Sequence, residues 1–170
     1  MPTADELEDT FRIVLRQGAN QVATWRNLVL AHWSDTPGPE PMRAIHESHL
    51  ALLHRHAKVG HLVLIRGGPK RPTPEAREVA SRYSQQSRMS SIAIVLEAEG
   101  FWGGAARAFL TAVLFLSRSE APTQLFGDIE SALDWQAGVL GEHAPPRAEA
   151  ADALAQLRRL ASEAPPRMRG

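Results

Sequence analysis

HLVLIRGGPKRPTPE, residues 61–75, decides the fold class because it joins a strand pattern to a helix start through a glycine loop. Residues 61–65 form a nearly continuous apolar run, which is typical of a strand buried on both faces of a parallel sheet. A glycine pair that begins at Gly67 ends this run. Thr73 then supplies a helix-capping hydroxyl, and Pro74 occupies the first helical position, where a missing N–H costs nothing. The stretch therefore predicts a parallel strand that leads into a helix.

The same alternation of strand and helix patterns continues on both sides of this stretch. On the amino side, residues 21–24 are compatible with a short strand or with a loop, and the proline-rich run 34–41 breaks regular structure. The predicted strands are 11–16, 28–33, 61–65, 91–96 and 122–126. The predicted helices are 42–57, 73–87, 102–118, a helix that begins at the capping residue Asp128, and 147–163.

Strands that alternate with helices of this length imply a mostly parallel sheet. We therefore predict an α/β domain with a mixed sheet of four or five strands. An antiparallel hairpin at the amino end, flanking helices and a C-terminal helix complete the predicted architecture. The predicted boundaries are an N-terminal tail at 1–9, the α/β domain at 10–141, an amphipathic helix at 147–163 and a disordered tail at 164–170.

Composition limits the classes of function. Nineteen basic residues balance nineteen acidic ones, so no long-range field is expected to draw the chain onto nucleic acid. The chain has no cysteine, which excludes thiolate catalysis and cysteine zinc sites. Residues 1–9 are acidic and lack the apolar run of a secretory signal, and the longest apolar stretch, 108–116, is too short to span a bilayer. We expect a cytoplasmic protein without a transmembrane segment.

Two stretches carry a family resemblance. QLFGDIESALDW, residues 124–135, combines a short strand, a phenylalanine, an acidic pair and a final tryptophan. SIAIVLEAEGFW, residues 91–102, is a buried-strand pattern that leads into an apolar helix. With the amino-terminal strand pair and the glycine loop, they make residues 10–140 similar to bacterial members of the STAS-like family, which is related to anti-sigma-factor antagonists. The resemblance implies a STAS-like fold and a non-enzymatic regulatory module that binds a protein partner.

The chain departs from this family at the regulatory switch. STAS antagonists carry an acidic residue, then Ser or Thr, then Gly, between a buried strand and the second helix. Residues 65–75 lack this motif, and Thr73 is their only hydroxyl residue. A phosphorylation switch of the family's type is therefore not expected.

The loop between the quoted strand and helix has the composition of a small anion site. Glycine backbone N–H groups, three cationic side chains and a helix N-terminus follow one another at the carboxyl end of a predicted parallel strand. The candidate anion-binding residues are Arg66, Gly67, Gly68, Lys70, Arg71 and Thr73. The alternative is a solvated turn in which Thr73 is an ordinary cap, since neither a Walker A nor a GxGxxG pattern is present.

Histidines and carboxylates give no catalytic or metal site by their spacing. The histidines at 46, 49, 54 and 56 all fall on the predicted helix 42–57, and we interpret them as surface or partly buried residues. No HExxH spacing and no GxSxG motif occurs, and Glu97 and Glu99 are interpreted as polar residues at a strand exit. We predict no catalytic residue, no metal, no cofactor and no enzymatic activity.

The predicted helix 102–118 is apolar on more than one side. Leu110, Leu114 and Phe115 extend apolar surface beyond the stripe that would face the sheet, so a second side must be covered. The cover is the C-terminal helix, a second copy of the chain, a protein partner or a membrane surface. The predicted partner-binding residues are Trp102, Arg107, Leu110, Leu114 and Phe115.

The sequence therefore favours protein–protein interaction, with a partner or as a homodimer. The alternative function is a sensor or carrier that binds an anionic or lipid-like small molecule through residues 66–73.

Overall fold

The computed structural model describes residues 10–67, 72–84, 89–97 and 121–163, and these residues form one α/β unit. Six strands lie side by side in chain order: β1 (Arg12–Gln17), β2 (Asn20–Trp25), β3 (Leu28–Trp33), β4 (Gly60–Arg66), β5 (Ser91–Glu97) and β6 (Thr123–Phe126). The helices are α1 (Pro39–Leu53), α2 (Pro74–Ser84), α3 (Ile129–Leu140) and α4 (Arg147–Ser162), with a 3-10 turn at Gly141–His143 between the last two. The predicted α/β class and mixed sheet are confirmed.

The amino-terminal part of the sheet is a three-stranded antiparallel meander, so the antiparallel pairing predicted at this end is present, while the described residues form six strands rather than four or five. β1, β2 and β3 pair antiparallel, and β3 to β6 pair parallel. The residues left open at 21–24 belong to β2, which connects to its neighbours through two tight turns. Backbone angles in these turns are left-handed, with φ of 59° at Gly18 and 49° at Arg26.

Helices cover both faces of the sheet. α3 and α4 pack against one face and enclose the larger apolar core, which includes Leu30, Leu62, Leu64, Val95, Leu133, Leu154 and Leu157. The second core lies on the opposite face, where α1 packs, and includes Val29, Ala31, Val63, Ile65, Ile45 and Leu52. The sheet is therefore the middle layer of three, as expected for strands that are apolar along their whole length.

The C-terminal helix belongs to this core rather than to a separate element. Leu154 and Leu157 of α4 are fully buried against the sheet, and Arg16 Nη2 donates a hydrogen bond to the Leu160 carbonyl at 2.7 Å. This helix therefore packs on its own domain.

Two helix starts agree with the predicted caps. Thr73 Oγ1 accepts a hydrogen bond from the Ala76 N–H at 3.1 Å, and Asp128 Oδ1 accepts one from the Ser131 N–H at 2.7 Å. Helix α1 begins and ends earlier than the predicted 42–57. It begins at Pro39, because prolines are tolerated in the first turn of a helix, and its last helical residue is Leu53.

None of the helices in the described ranges is long and apolar enough to cross a membrane. The predicted tails at 1–9 and 164–170 and the predicted helix at 102–118 lie outside the described residues.

Candidate functional site

A polar cluster lies at the edge of the sheet where β3, β4 and β5 end, on the face that α4 covers. Gln21 faces His32 across β2 and β3, and Arg66 faces Glu97 across β4 and β5. These side chains share a face because they continue the alternation that places Leu30, Leu64 and Val95 in the α4-side core. Arg158 completes the group from α4. We call Gln21, His32, Arg66, Glu97 and Arg158 the carboxyl-edge cluster.

Gln21 is the most unusual member of the cluster. Its side chain is fully buried, and neither its amide nitrogen nor its amide oxygen has a hydrogen-bond partner among the described residues. Leaving a buried donor or acceptor unpaired costs about 1–3 kcal/mol, so such groups are rare in proteins. The amide therefore has unused capacity to donate and to accept.

His32 adds a neutral acceptor beside Gln21. Its Nδ1 lies 3.0 Å from the Ala19 carbonyl oxygen, and since a carbonyl only accepts, Nδ1 carries the ring proton. Burial lowers the pKa of His32 below its usual 6.5. Arg66 and Arg158 also lower this pKa, whereas the Ala19 carbonyl and Glu97 raise it. The neutral ring is left with Nε2 as its hydrogen-bond acceptor.

The same tautomer argues against a catalytic serine at this site. Ser34 Oγ lies 3.4 Å from His32 Nδ1, a contact that superficially resembles a nucleophile and its base. Nδ1 already donates its proton to Ala19, so it has no lone pair with which to accept the proton of Ser34. His32 therefore does not activate this hydroxyl.

Glu97 and Arg158 tie α4 to β5. Arg158 Nη2 lies 3.0 Å from Glu97 Oε1, while Glu97 Oε2 is buried and has no hydrogen-bond partner in the described part of the chain. The cluster holds two guanidinium groups and one carboxylate, so it carries a net positive charge. Open α/β sheets bind ligands at this edge, outside the carboxyl ends of their parallel strands.

The structure places part of the predicted anion loop next to this cluster. Arg66 is the last residue of β4, and Gly67, with φ of 75°, turns the chain away from the sheet. Thr73 uses its hydroxyl as an ordinary helix cap. Gly68, Lys70 and Arg71 lie outside the described residues, as do all five predicted partner-binding residues, Trp102, Arg107, Leu110, Leu114 and Phe115.

The histidines differ from their predicted positions. His54 caps the C-terminus of α1 and His56 follows the helix, so neither is helical, while His46 and His49 are buried rather than on the surface. The His46 ring stacks on Tyr83 at 3.8 Å between centroids. Within the described ranges, no three metal-binding side chains come together.

Sequence reasoning missed Gln21 and Arg158. Gln21 fell in a segment whose structure was left open, and Arg158 was not among the candidate site residues of the predicted helix 147–163. The pairing Gln21–His32 depends on the β2–β3 register, which carries no local sequence signal of its own.

Comparisons of the chain with protein-family models, with curated proteins and with solved structures gave no match.

Proposed function

We propose that this protein is a non-enzymatic, STAS-like binding module that holds a small anionic ligand at the carboxyl-edge cluster. The observation that carries the proposal is the fully buried Gln21 amide, which has no partner in the described residues, beside His32 and the positively charged end of the cluster. A bound polar ligand would satisfy this amide and remove the cost of its burial.

The proposed ligand divides into two chemical parts. Arg66 and Arg158 suit its anionic group, because guanidinium groups bind carboxylates and phosphates through paired hydrogen bonds. Gln21 and the acceptor nitrogen of His32 suit a neutral polar part. The anionic group would compete with Glu97 for Arg158, so binding would loosen the tie between α4 and β5. Ligand binding and the position of α4 would then be coupled.

The STAS-like assignment is part of the proposal. It is supported by antiparallel strands at the amino end and by the proline-containing loop before α1. The Gly67 turn between β4 and α2 and the alternation of parallel strands with helices also agree with it. His32 supports binding rather than catalysis, since its protonated nitrogen faces the nearby serine.

A thermal-shift screen tests the ligand proposal. Phosphate, nucleotides, small carboxylates and acyl phosphates are added at constant ionic strength, and a ligand present at about 100 times its Kd adds about 2.7 kcal/mol to the free energy of unfolding. We expect Arg66→Gln to abolish the shift. Arg82→Gln is the matched control, because Arg82 is an exposed arginine whose ion pair with Glu78 lies within α2. A shift that survives Arg66→Gln, or the absence of any shift in the wild type, would contradict the proposal.

Protein docking is the second candidate function. β5 supports it, because Ala93 and Val95 on the α4 side are fully buried while Ile92 and Ile94 on the opposite side are only half-buried. Leu125 of the neighbouring β6 is also half-buried on that side. Apolar surface on this side of the sheet agrees with a docking face, and the apolar residues predicted at 102–118 would extend it.

Light scattering of the purified protein tests docking through 102–118. We expect the wild type to form a dimer that Leu110→Glu with Leu114→Glu dissociates, because two carboxylates cannot be buried unpaired in an apolar interface. The paired control is Leu50→Glu, at an exposed leucine of α1. A wild type that stays monomeric across the concentration range would contradict the proposed homodimer.

A further inference from the structure

A pocket of about 420 Å³ opens at the opposite edge of the sheet, where the parallel strands begin. Its walls are the β2–β3 turn, the segment after α1 and the segment 143–145 that precedes α4. Four of its lining side chains are cationic or can become so: Arg26, Arg55, His56 and His143. The volume lies within the range of about 300–1,000 Å³ that small-molecule sites occupy.

Asn27 fixes the three walls relative to one another. Its side chain is buried, and its Nδ2 donates to the Lys58 carbonyl at 3.0 Å and to the His143 carbonyl at 2.9 Å. Its own carbonyl accepts from the Gly60 N–H at 3.0 Å. One residue therefore joins the turn, the loop before β4 and the 3-10 turn, so the pocket is preformed rather than assembled by a ligand.

Arg26 is held at the rim in a strained conformation. Its φ of 49° is unfavourable for a residue with a Cβ and costs about 1–2 kcal/mol. Its guanidinium lies 2.8 Å from Glu149 and 5.1 Å from the centre of the Trp25 ring. Glu149 compensates the charge of Arg26, so the remaining cations determine the charge of the pocket.

Arg55 provides that charge. It is exposed, lines the pocket and makes no ion pair with any residue of the described ranges. Among the described residues that line the pocket there is no carboxylate, although Glu142 Oε1 lies 3.7 Å from Nε2 of the lining residue His143. A guanidinium with its donors directed to solvent, next to two histidines, is a suitable receptor for the oxygens of a phosphate group.

We propose that this pocket binds a small organic phosphate, with Arg55 and His143 on the phosphate group and Asn27 holding the walls. The site lies at the other edge of the sheet from the carboxyl-edge cluster and does not depend on that cluster. Its volume and its cationic lining suit a ligand of about the size of a mononucleotide.

Titration of the full chain with AMP, followed by two-dimensional NMR of the backbone amides, tests this site. We expect shift changes at residues 55–57 and 143–145, and at least tenfold weaker binding in Arg55→Gln, which corresponds to about 1.4 kcal/mol. Arg43→Gln is the control, because Arg43 is an exposed arginine of α1 that does not line the pocket. Inorganic phosphate in a parallel titration shows whether the phosphate group alone suffices.

The outcomes separate this site from the carboxyl-edge cluster. AMP binding that Arg55→Gln weakens and Arg66→Gln leaves unchanged supports the pocket, even if the cluster binds nothing. Shift changes around Gln21 and Glu97 instead, equal affinity in Arg55→Gln and wild type, or no binding of AMP or phosphate would each overturn it.

Discussion

At the scale of single residues, two buried glutamines show that the same side chain can stabilise or destabilise the fold, depending on its surroundings. Gln136 Nε2 donates to the His61 carbonyl at 3.1 Å and to Ser91 Oγ at 3.2 Å, whereas the Gln21 amide has no partner in the described part of the chain. The Gln136 side chain therefore stabilises the packing of α3 on β4 and β5. Burial of the unpaired Gln21 amide carries a cost in free energy that a bound ligand or solvent would offset.

Methionine substitutions at both positions make a matched pair, since methionine has nearly the shape of glutamine and no amide. We expect Gln21→Met to raise the free energy of unfolding by about 1 kcal/mol, and Gln136→Met to lower it by about 1–3 kcal/mol. Urea unfolding at pH 7.5 measures both values. Gln21→Met should also lose the ligand response, as substitutions that remove strain from a binding site commonly do. A destabilised Gln21→Met would show that the amide is satisfied in the apo protein.

At the scale of elements, local signals were sufficient for the caps and for most strands. Thr73 and Asp128 cap their helices as predicted, because a cap depends on residues within one turn of it. The strand β2 could not be recognised in the same way. The chain around Val22 and Ala23 is buried on both faces of the sheet, so the alternation that marks a half-buried strand is absent.

The end of α1 shows a second limit of local reasoning. The helix predicted at 42–57 ends at Leu53, and Gly60 is already the first residue of β4. A Cβ at this position would lie 2.8 Å from Gln136 Nε2 and 2.9 Å from Leu28 Cδ2, so tertiary packing favours glycine here because a larger residue would force these side chains to shift. Local sequence signals likewise predicted only part of the candidate site. Arg66 lies at a strand end that the sequence identifies, whereas Gln21 and Arg158 reach it only through strand order and helix docking.

At the scale of the whole molecule, four histidines are buried with the sheet, and their surroundings favour the neutral form of each ring. His32 lies on the α4 side, while His46, His49 and His61 belong to α1 and β4. Burial, together with a smaller effect of a neighbouring histidine, lowers the pKa of His49 to about 4 and that of His61 to about 3. Burial also lowers the pKa of His32 and of His46.

These shifts predict that the folded protein loses stability in mild acid. The unfolded chain takes up protons as the pH falls through about 6.5, whereas the folded chain resists until the pH approaches the lowered values. The stability contributed by the neutral histidines is therefore complete above pH 6.5 and decreases as the pH falls towards 4. For His49 alone the loss over this range is about 3 kcal/mol, which is a large part of the 5–15 kcal/mol typical of a domain.

Urea unfolding between pH 7.5 and pH 5 measures this loss before most carboxylates titrate. We expect the slope of stability against pH to correspond to the uptake of two to four protons on unfolding. His49→Leu should reduce that slope by about one proton and change stability little at pH 7.5, because neither ring nitrogen of His49 has a partner among the described residues. The exposed His54 provides the control, since His54→Gln should leave the slope unchanged. A stability that is independent of pH down to 5 would mean that the buried rings accept protons within the fold, and the account of a sheet enclosed with neutral histidines would then be wrong.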